Sequence, residues 1–146
     1  MIEIVEGELE RCLAIRREVF MGEQNVTEAE EMDGRDGAPT VQVLAVVDGV
    51  DCGCARILYD AAARVHLGRV AVRRPFRGQG IGMDLVNGAR DVALRHFAVD
   101  GTLTITLDAQ EYAIGFYERA GYTLTERERF LDAGIWHREM AQTITR

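Results

Sequence analysis

Residues 73–82 read RRPFRGQGIG, and this stretch decides how the rest of the chain is understood. Three arginines and a proline lead into three glycines at alternate positions, Gly78, Gly80 and Gly82. The segment joins a strand pattern ending in Val70, Ala71 and Val72 to a helix pattern that begins near residue 80. A strand, a glycine loop and a helix start make an anion site. The first amides of a helix have no intrahelical partner, the dipole puts its positive end there, and glycine lets a diphosphate come close to the backbone. Arg73, Arg74 and Arg77 add positive charge at the same place.

Other phosphate loops fit less well. A Walker A loop requires Gly-Lys-Ser/Thr, and all 17 basic residues of this chain are arginine. A dinucleotide fingerprint counted from Gly78 requires glycine at 83, where Met83 stands. A ligand-free glycine turn that caps a helix is the structural alternative, and the flanking arginines argue against it.

The 146 residues, 47% apolar and 28% charged, have the size and composition of a single domain spanning 1–146. A net charge of −7 argues against general affinity for nucleic acid or anionic membranes. No run of apolar residues is long enough to span a membrane, and the first residues are acidic where a secretory signal is basic, so the expected location is cytoplasmic. Cys12, Cys52 and Cys54 are too few for a disulfide framework; Cys52 and Cys54 alternate along a strand and are expected on one face, in core packing, with no metal site.

Period-two patterns predict strands over 2–5, 41–47, 51–58, 64–72, 103–109, 122–129 and 135–140. Asp48-Gly49 predicts a hairpin, and Tyr59 to Ala62 is read as the turn into the next strand, giving an antiparallel meander. Helices are predicted over 8–20, 80–97 and 111–120, the second with a stripe of Ile81, Leu85, Val92 and Phe97. Residues 21–40 are acidic and without period, which fits a solvated loop or a short helix over a binding site. The expected class is α/β around a mixed sheet.

On these residues the sequence resembles the GNAT superfamily of acyl-CoA-dependent N-acyltransferases. Arg77-x-x-Gly80-x-Gly82 fits that family's pyrophosphate pattern, and LTITLDAQEYAIGFYERAGY, residues 103–122, is similar to its fifth strand, following helix and Phe-Tyr-x-x-x-Gly-Phe/Tyr signature through Phe116, Tyr117, Gly121 and Tyr122. REVFMGEQNV, MDGRD and FLDAGIWHREM resemble the ElaA-like branch, with departures at Thr27 and Trp136, where that branch usually has proline.

The resemblance implies a GNAT fold, a mixed twisted sheet with helices on both faces and coenzyme A between the fourth and fifth strands. It implies acetyl-CoA as co-substrate, no metal, a small-molecule or peptide amine as acceptor, and a homodimer as a common arrangement among similar proteins. By the same resemblance Arg77, Gly78, Gln79, Gly80, Ile81 and Gly82 bind the pyrophosphate. The backbone of Val70, Ala71 and Val72 holds the pantetheine arm, with Gln110 and Phe116 beside the coenzyme. Tyr117 is implied as the general acid for the departing thiolate, a role for which a reference pKa near ~10 is well matched. A non-catalytic acyl-CoA-binding or sensing module is the alternative.

The general base is not legible. Glu23, Glu31, Asp33, Asp36, Glu111 and His137 are candidates, and His137 stands nearer the signature than His66 or His96. The acids of 23–36, Glu23, Asp33 and Asp36 among them, are expected to face a cationic acceptor, with His137 nearby.

Overall fold

The computed structural model describes residues 2–146. In chain order the elements are β1 (Ile2–Glu6), α1 (Leu9–Arg16), a wide π-type turn (Arg17–Glu23), α2 (Glu28–Glu31), β2 (Val41–Val47), β3 (Val50–Ala61) and β4 (Arg64–Val72). A short 3-10 turn (Arg74–Phe76) then leads to α3 (Ile81–Phe97) and β5 (Thr102–Gln110), and a second one (Glu111–Ala113) to α4 (Ile114–Arg119). The chain closes with β6 (Thr123–Leu124), β7 (Phe130–Asp132) and β8 (Ile135–Thr145).

The strands form one sheet in the order β1-β2-β3-β4-β5-β8-β6, with β7 also on β8. Every pairing is antiparallel except β4 with β5. The β2–β3 hairpin turns at Asp48 (φ 50°) and Gly49 (φ 78°), both left-handed as a tight hairpin of right-twisted strands requires. On one face α3 buries Ile81, Leu85, Val86, Ala89, Val92 and Ala93 against Val43, Ile57, Val65, Leu67, Leu103, Ile105 and Leu107. On the other face α1 buries Cys12 and Ile15 against Leu44, Val46, Cys54 and Ala71.

Several sequence expectations shift, each for a local reason. Cys52 and Cys54 lie on opposite faces, because β3 carries an extra residue where the register passes from Ala45↔Gly53 to Val46↔Asp51. The third strand runs on through Ala61, since it pairs with β4 as far as Arg64, and the turn is carried by Ala63 at φ 57°. The strand expected over 122–129 shrinks to Thr123–Leu124; Arg127 leaves to stack on Phe130 and Arg129 to stack on Trp136. The last strand extends to Thr145 because β5 offers it an unbroken partner from Thr102 to Gln110.

The acidic stretch before β2 is tied down rather than freely solvated. Thr27 begins α2 with a capping box: its hydroxyl accepts from Glu30 N at 3.1 Å and its own N–H donates to Glu30 Oε1 at 3.0 Å. Proline has no N–H to give, which accounts for threonine at this position. Beneath α2, three guanidiniums meet three carboxylates. Buried Arg16 donates to Glu31 and to Asp36 Oδ1 at 2.7 Å; Arg56 donates to both Asp33 oxygens and to Asp36 Oδ1 at 3.2 Å; Arg69 donates to the Glu31 carbonyl at 2.9 Å. These contacts fasten residues 31–36 to the sheet.

Candidate active site

The parallel ladder between β4 and β5 runs only from Arg64↔Thr104 to Leu67↔Leu107. Beyond it both strands continue, β4 to Val72 and β5 to Gln110, without pairing to one another. A bulge drives them apart: the β3–β4 register passes from Arg56↔Gly68 to Cys54↔Ala71, so three residues of β4 span two of β3, with Arg69 left-handed at φ 50°. The result is a groove of about 970 Å³ that opens between the two strands.

At one end of the groove lies the glycine loop. Gly78 (φ 75°) and Gly80 (φ 81°) are left-handed, and Gly80 is the N-cap of α3 with no side-chain cap. The first intrahelical bond runs from Asp84 N to Gly80 O at 3.2 Å, which leaves the amides of Ile81, Gly82 and Met83 free at the positive end of a 17-residue helix. An added Cβ at Gly78 or Gly80 would meet nothing within 4 Å, so glycine is needed there for conformation rather than for room. Gly82 faces the Phe116 ring, to which an added Cβ would come within 3.4 Å.

The arginines divide their work. Arg77 donates from Nε to the Val72 carbonyl at 2.8 Å and makes a two-point contact with Glu23, while Arg73 holds Glu18 and the Asp51 carbonyl. Only Arg74, the most exposed of the three, is loosely held, 3.7 Å from Glu23. The loop and strand residues singled out from the sequence are therefore brought together: Val70, Ala71, Val72, Arg77, Gly78, Gly80, Gly82, Gln110, Phe116 and Tyr117 all line the groove. Gln79 turns back to the Pro75 carbonyl at 3.3 Å, and Ile81 enters the α3 core.

Tyr117 reaches the groove from α4. Its ring packs edge-on against Phe116, 5.0 Å between centroids, and against Tyr122 at 6.2 Å. Burial pushes its phenol well above the ordinary tyrosine value, so it stays protonated across any working pH. Gln110 donates to Gln24 Oε1 at 3.0 Å, tying the end of β5 to the segment before α2.

The acidic candidates are distributed differently. Asp33 and Asp36 are not among the groove-lining residues and face Arg56 and Arg16 instead. Glu111 is held at two points by Arg129 and also lies off the groove. Glu23 and Glu31 do line it, each against guanidiniums, with Glu31 only 1% exposed. His137 lines it too, but its Nδ1 is 2.7 Å from the Ile135 carbonyl and its ring stacks on Phe130. The groove also receives His66 and Asp108, which no sequence pattern singles out. Their pairing depends on the register of the one parallel contact, which a period-two pattern does not specify.

The groove fits coenzyme A on its own geometry: split strands offer backbone to an extended arm, and free helix amides sit where a diphosphate would end. A sequence model of the acetyltransferase (GNAT) domain matches residues 9–144. The chain belongs to the GNAT acetyltransferase family. It is 34% identical over 139 residues to the uncharacterized N-acetyltransferase YjcF of Bacillus subtilis, covering 92% of each chain. Among solved structures it is similar to an acyl-CoA N-acyltransferase from Pseudomonas aeruginosa, at 28% identity and a TM-score of 0.83 over 97% of this chain and 99% of that one. It is also similar to Escherichia coli ElaA, at 26% identity and a TM-score of 0.83 with the same coverage. This GNAT chain is thus an acyltransferase whose fold binds acetyl-CoA and CoA. Among the described residues no group of three or more His, Cys, Asp or Glu could hold a metal ion, and no helix is long and apolar enough to cross a membrane.

Proposed function

We propose that the protein is an acetyl-CoA-dependent N-acetyltransferase that acylates a primary amine, with Tyr117 as the acid that protonates the departing coenzyme thiolate. The observation that carries this reading is the placement of Tyr117 at the groove between the split strands, facing the same space as the free loop amides. The amides of 80–83 bind the pyrophosphate, and the Arg77 side chain braces the loop through Val72 and Glu23 rather than meeting the phosphate directly. The backbone of Val70, Ala71 and Val72, open on the side away from β3, takes the pantetheine arm as an added strand, and an amide beside the bulge polarises the thioester carbonyl.

The neutral amine nitrogen forms its bond to the carbonyl carbon, the carbon–sulfur bond breaks with its electrons on sulfur, sulfur takes the Tyr117 proton, and the proton lost from nitrogen returns to Tyr117 through solvent. Burial keeps the phenol protonated and ready to donate, while its raised pKa makes it a weaker acid than free tyrosine, so the transfer goes with cleavage of the carbon–sulfur bond, when the sulfur becomes most basic. Release of free coenzyme thiol on adding primary amines, with Tyr117→Phe as control, tests the reading; no release with any amine in a broad panel contradicts it.

A further inference from the structure

Val65 and Leu67 of β4 belong to the core under α3, so His66 between them points to the opposite face, the one that α1 and α2 cover. Thr106 and Asp108 alternate with Ile105 and Leu107 of the same core and share His66's face. Tyr117 packs with the α3 core. His66 pairs with Thr106 one step before the ladder ends, where the strands begin to part. An imidazole and a phenol therefore approach one groove from the two faces of the sheet, at its apex.

The surroundings of His66 accommodate a tautomer that leaves Nε2 open to the groove. Nδ1 is 2.9 Å from Thr106 Oγ1, and that buried hydroxyl donates to the Val65 carbonyl at 3.5 Å. With the single Thr106 hydrogen on the Val65 carbonyl, Thr106 accepts from Nδ1–H and the neutral imidazole carries its lone pair on Nε2. Nε2 lies 3.5 Å from Asp108 Oδ2. A lone pair and a carboxylate oxygen facing one another at that separation form a receptor for an ammonium, which can donate to both. Asp108 Oδ1 is buried without a hydrogen-bond partner; the Arg127 guanidinium stands 3.9 Å from it, and Arg127 is shared with Glu139.

We propose that His66 is the base that takes the proton of the incoming ammonium, and that Asp108 positions the ammonium and steadies the imidazolium that forms. This rests on the reading of the protein as an amine acyltransferase. Glu31 is held by Arg16 and Arg69, and Glu23 by Arg77; His137 gives its Nδ1–H to the Ile135 carbonyl and also keeps a lone pair on Nε2, but its ring stacks on Phe130, whereas Asp108 stands beside His66 Nε2. One proton passes from the ammonium to Nε2 and on to water. The freed lone pair attacks the thioester carbon, the carbon–sulfur electrons leave with sulfur, and sulfur takes the Tyr117 proton. The second nitrogen proton returns to Tyr117 through solvent, so one proton is released per turnover. The charged and titratable groups that line the groove with His66 are Glu30, Glu31, Arg69, Asp108, Asp132 and His137, with Glu23, Arg74, Arg77, Tyr112, Tyr117 and Arg119 also on its walls, and Arg127 and Glu139 behind Asp108.

The test compares wild type, His66→Gln, His66→Ala and Asp108→Asn with the best amine of the panel, together with acetyl-CoA affinity and melting temperature for each. The expected result for His66→Gln is a fall in kcat of about 10²-fold or more with unchanged acetyl-CoA affinity. Its kcat/KM profile moves to alkaline pH, because only amine already neutral in solution then reacts. Free imidazole restores part of the activity of His66→Ala, and Asp108→Asn raises the amine KM. Wild-type kcat and pH profile in a folded His66→Gln overturn the proposal. So does a neutral Nε2–H tautomer in the nitrogen-15 spectrum of the wild-type histidine, a readout that needs no variant to fold. A wild type that turns over no amine removes the acyltransfer reading and the base with it; that failure appears in the parent protein, whereas failure of the base alone leaves the parent active.

Discussion

Arg77 and Glu23 close on one another at two points, Nη1 to Oε1 at 2.8 Å and Nη2 to Oε2 at 3.0 Å, and so join the glycine loop to the end of the π-type turn after α1. The hydrogen bond from Arg77 holds the Glu23 carboxyl below its ordinary range. Glu23→Gln keeps the shape and removes an anion beside the pyrophosphate loop. Half-exposed pairs of this kind contribute about 1 kcal/mol or less, so the fold is little affected and acetyl-CoA binds up to about fivefold tighter. Calorimetric titration checks it, and several-fold weaker binding contradicts the prediction, showing that the brace on the loop outweighs the anion beside it.

The buried arginines make the opposite prediction for stability. Arg16 and Glu31 are each 1% exposed, so Arg16→Met leaves the buried Glu31 carboxylate to Arg69 alone and takes one guanidinium from Asp36; the expected loss approaches but stays below the ~3–5 kcal/mol of a wholly unpaired buried charge, read from the urea midpoint.

Acid should find the same cluster. Hydrogen bonds from Arg56 depress Asp33; for Asp36, burial works upward but the Arg16 bonds prevail, and its value is also lowered. A carboxyl whose folded value lies below its unfolded one adds stability that is complete above the unfolded value, near ~4, and is lost as pH falls toward the folded one. Stability is therefore expected to hold from neutrality to about pH 5 and to decline steadily below about pH 4, with a shallower decline in Asp36→Asn. Urea midpoints measured from neutral to acid pH decide it. Asp33→Asn and Asp36→Asn are expected to change this curve and leave the amine KM alone.

Tyr117→Phe removes one hydroxyl from a packed ring. The expected outcome is a fall in kcat of about 10²-fold with acetyl-CoA affinity retained. Since burial raises the phenol's pKa, the wild-type rate should show no alkaline loss from Tyr117 through pH 9; a limb that vanishes in the Phe variant would contradict this.

Much of this was legible before any coordinates. The glycine loop, the Asp48-Gly49 hairpin and the signature around Tyr117 each rest on contiguous residues whose conformational demands are local. Contacts between distant segments were not. The β3 bulge at Cys52 and the β4 bulge at Arg69 lie beside Gly53 and Gly68, isolated strand glycines that hint at a bulge without fixing its register, and each inverts the faces that alternation predicts. The acids of 31–36 are expected from the sequence in a solvated loop or a short helix over the acceptor site, because their actual partners Arg16, Arg56 and Arg69 are scattered through α1, β3 and β4. His66 and Asp108 were passed over because their proximity depends on a parallel register between strands separated by α3.

The most direct measurement is the melting temperature of wild type and Gly80→Ala with coenzyme A, acetyl-CoA, pantetheine, ATP and NAD in parallel. Alanine at φ 81° is strained by about 1–2 kcal/mol and disturbs the amides that receive the diphosphate. A ligand bound only by the folded state, present at about a hundredfold above its Kd, adds about 2.7 kcal/mol and raises the midpoint by about 5–10 °C. The account predicts that rise for coenzyme A and acetyl-CoA with wild type, little from pantetheine, ATP or NAD, and most of the rise lost in Gly80→Ala. No rise with either coenzyme, or an equal rise in the loop variant, would contradict the assignment of residues 77–82 as the pyrophosphate site.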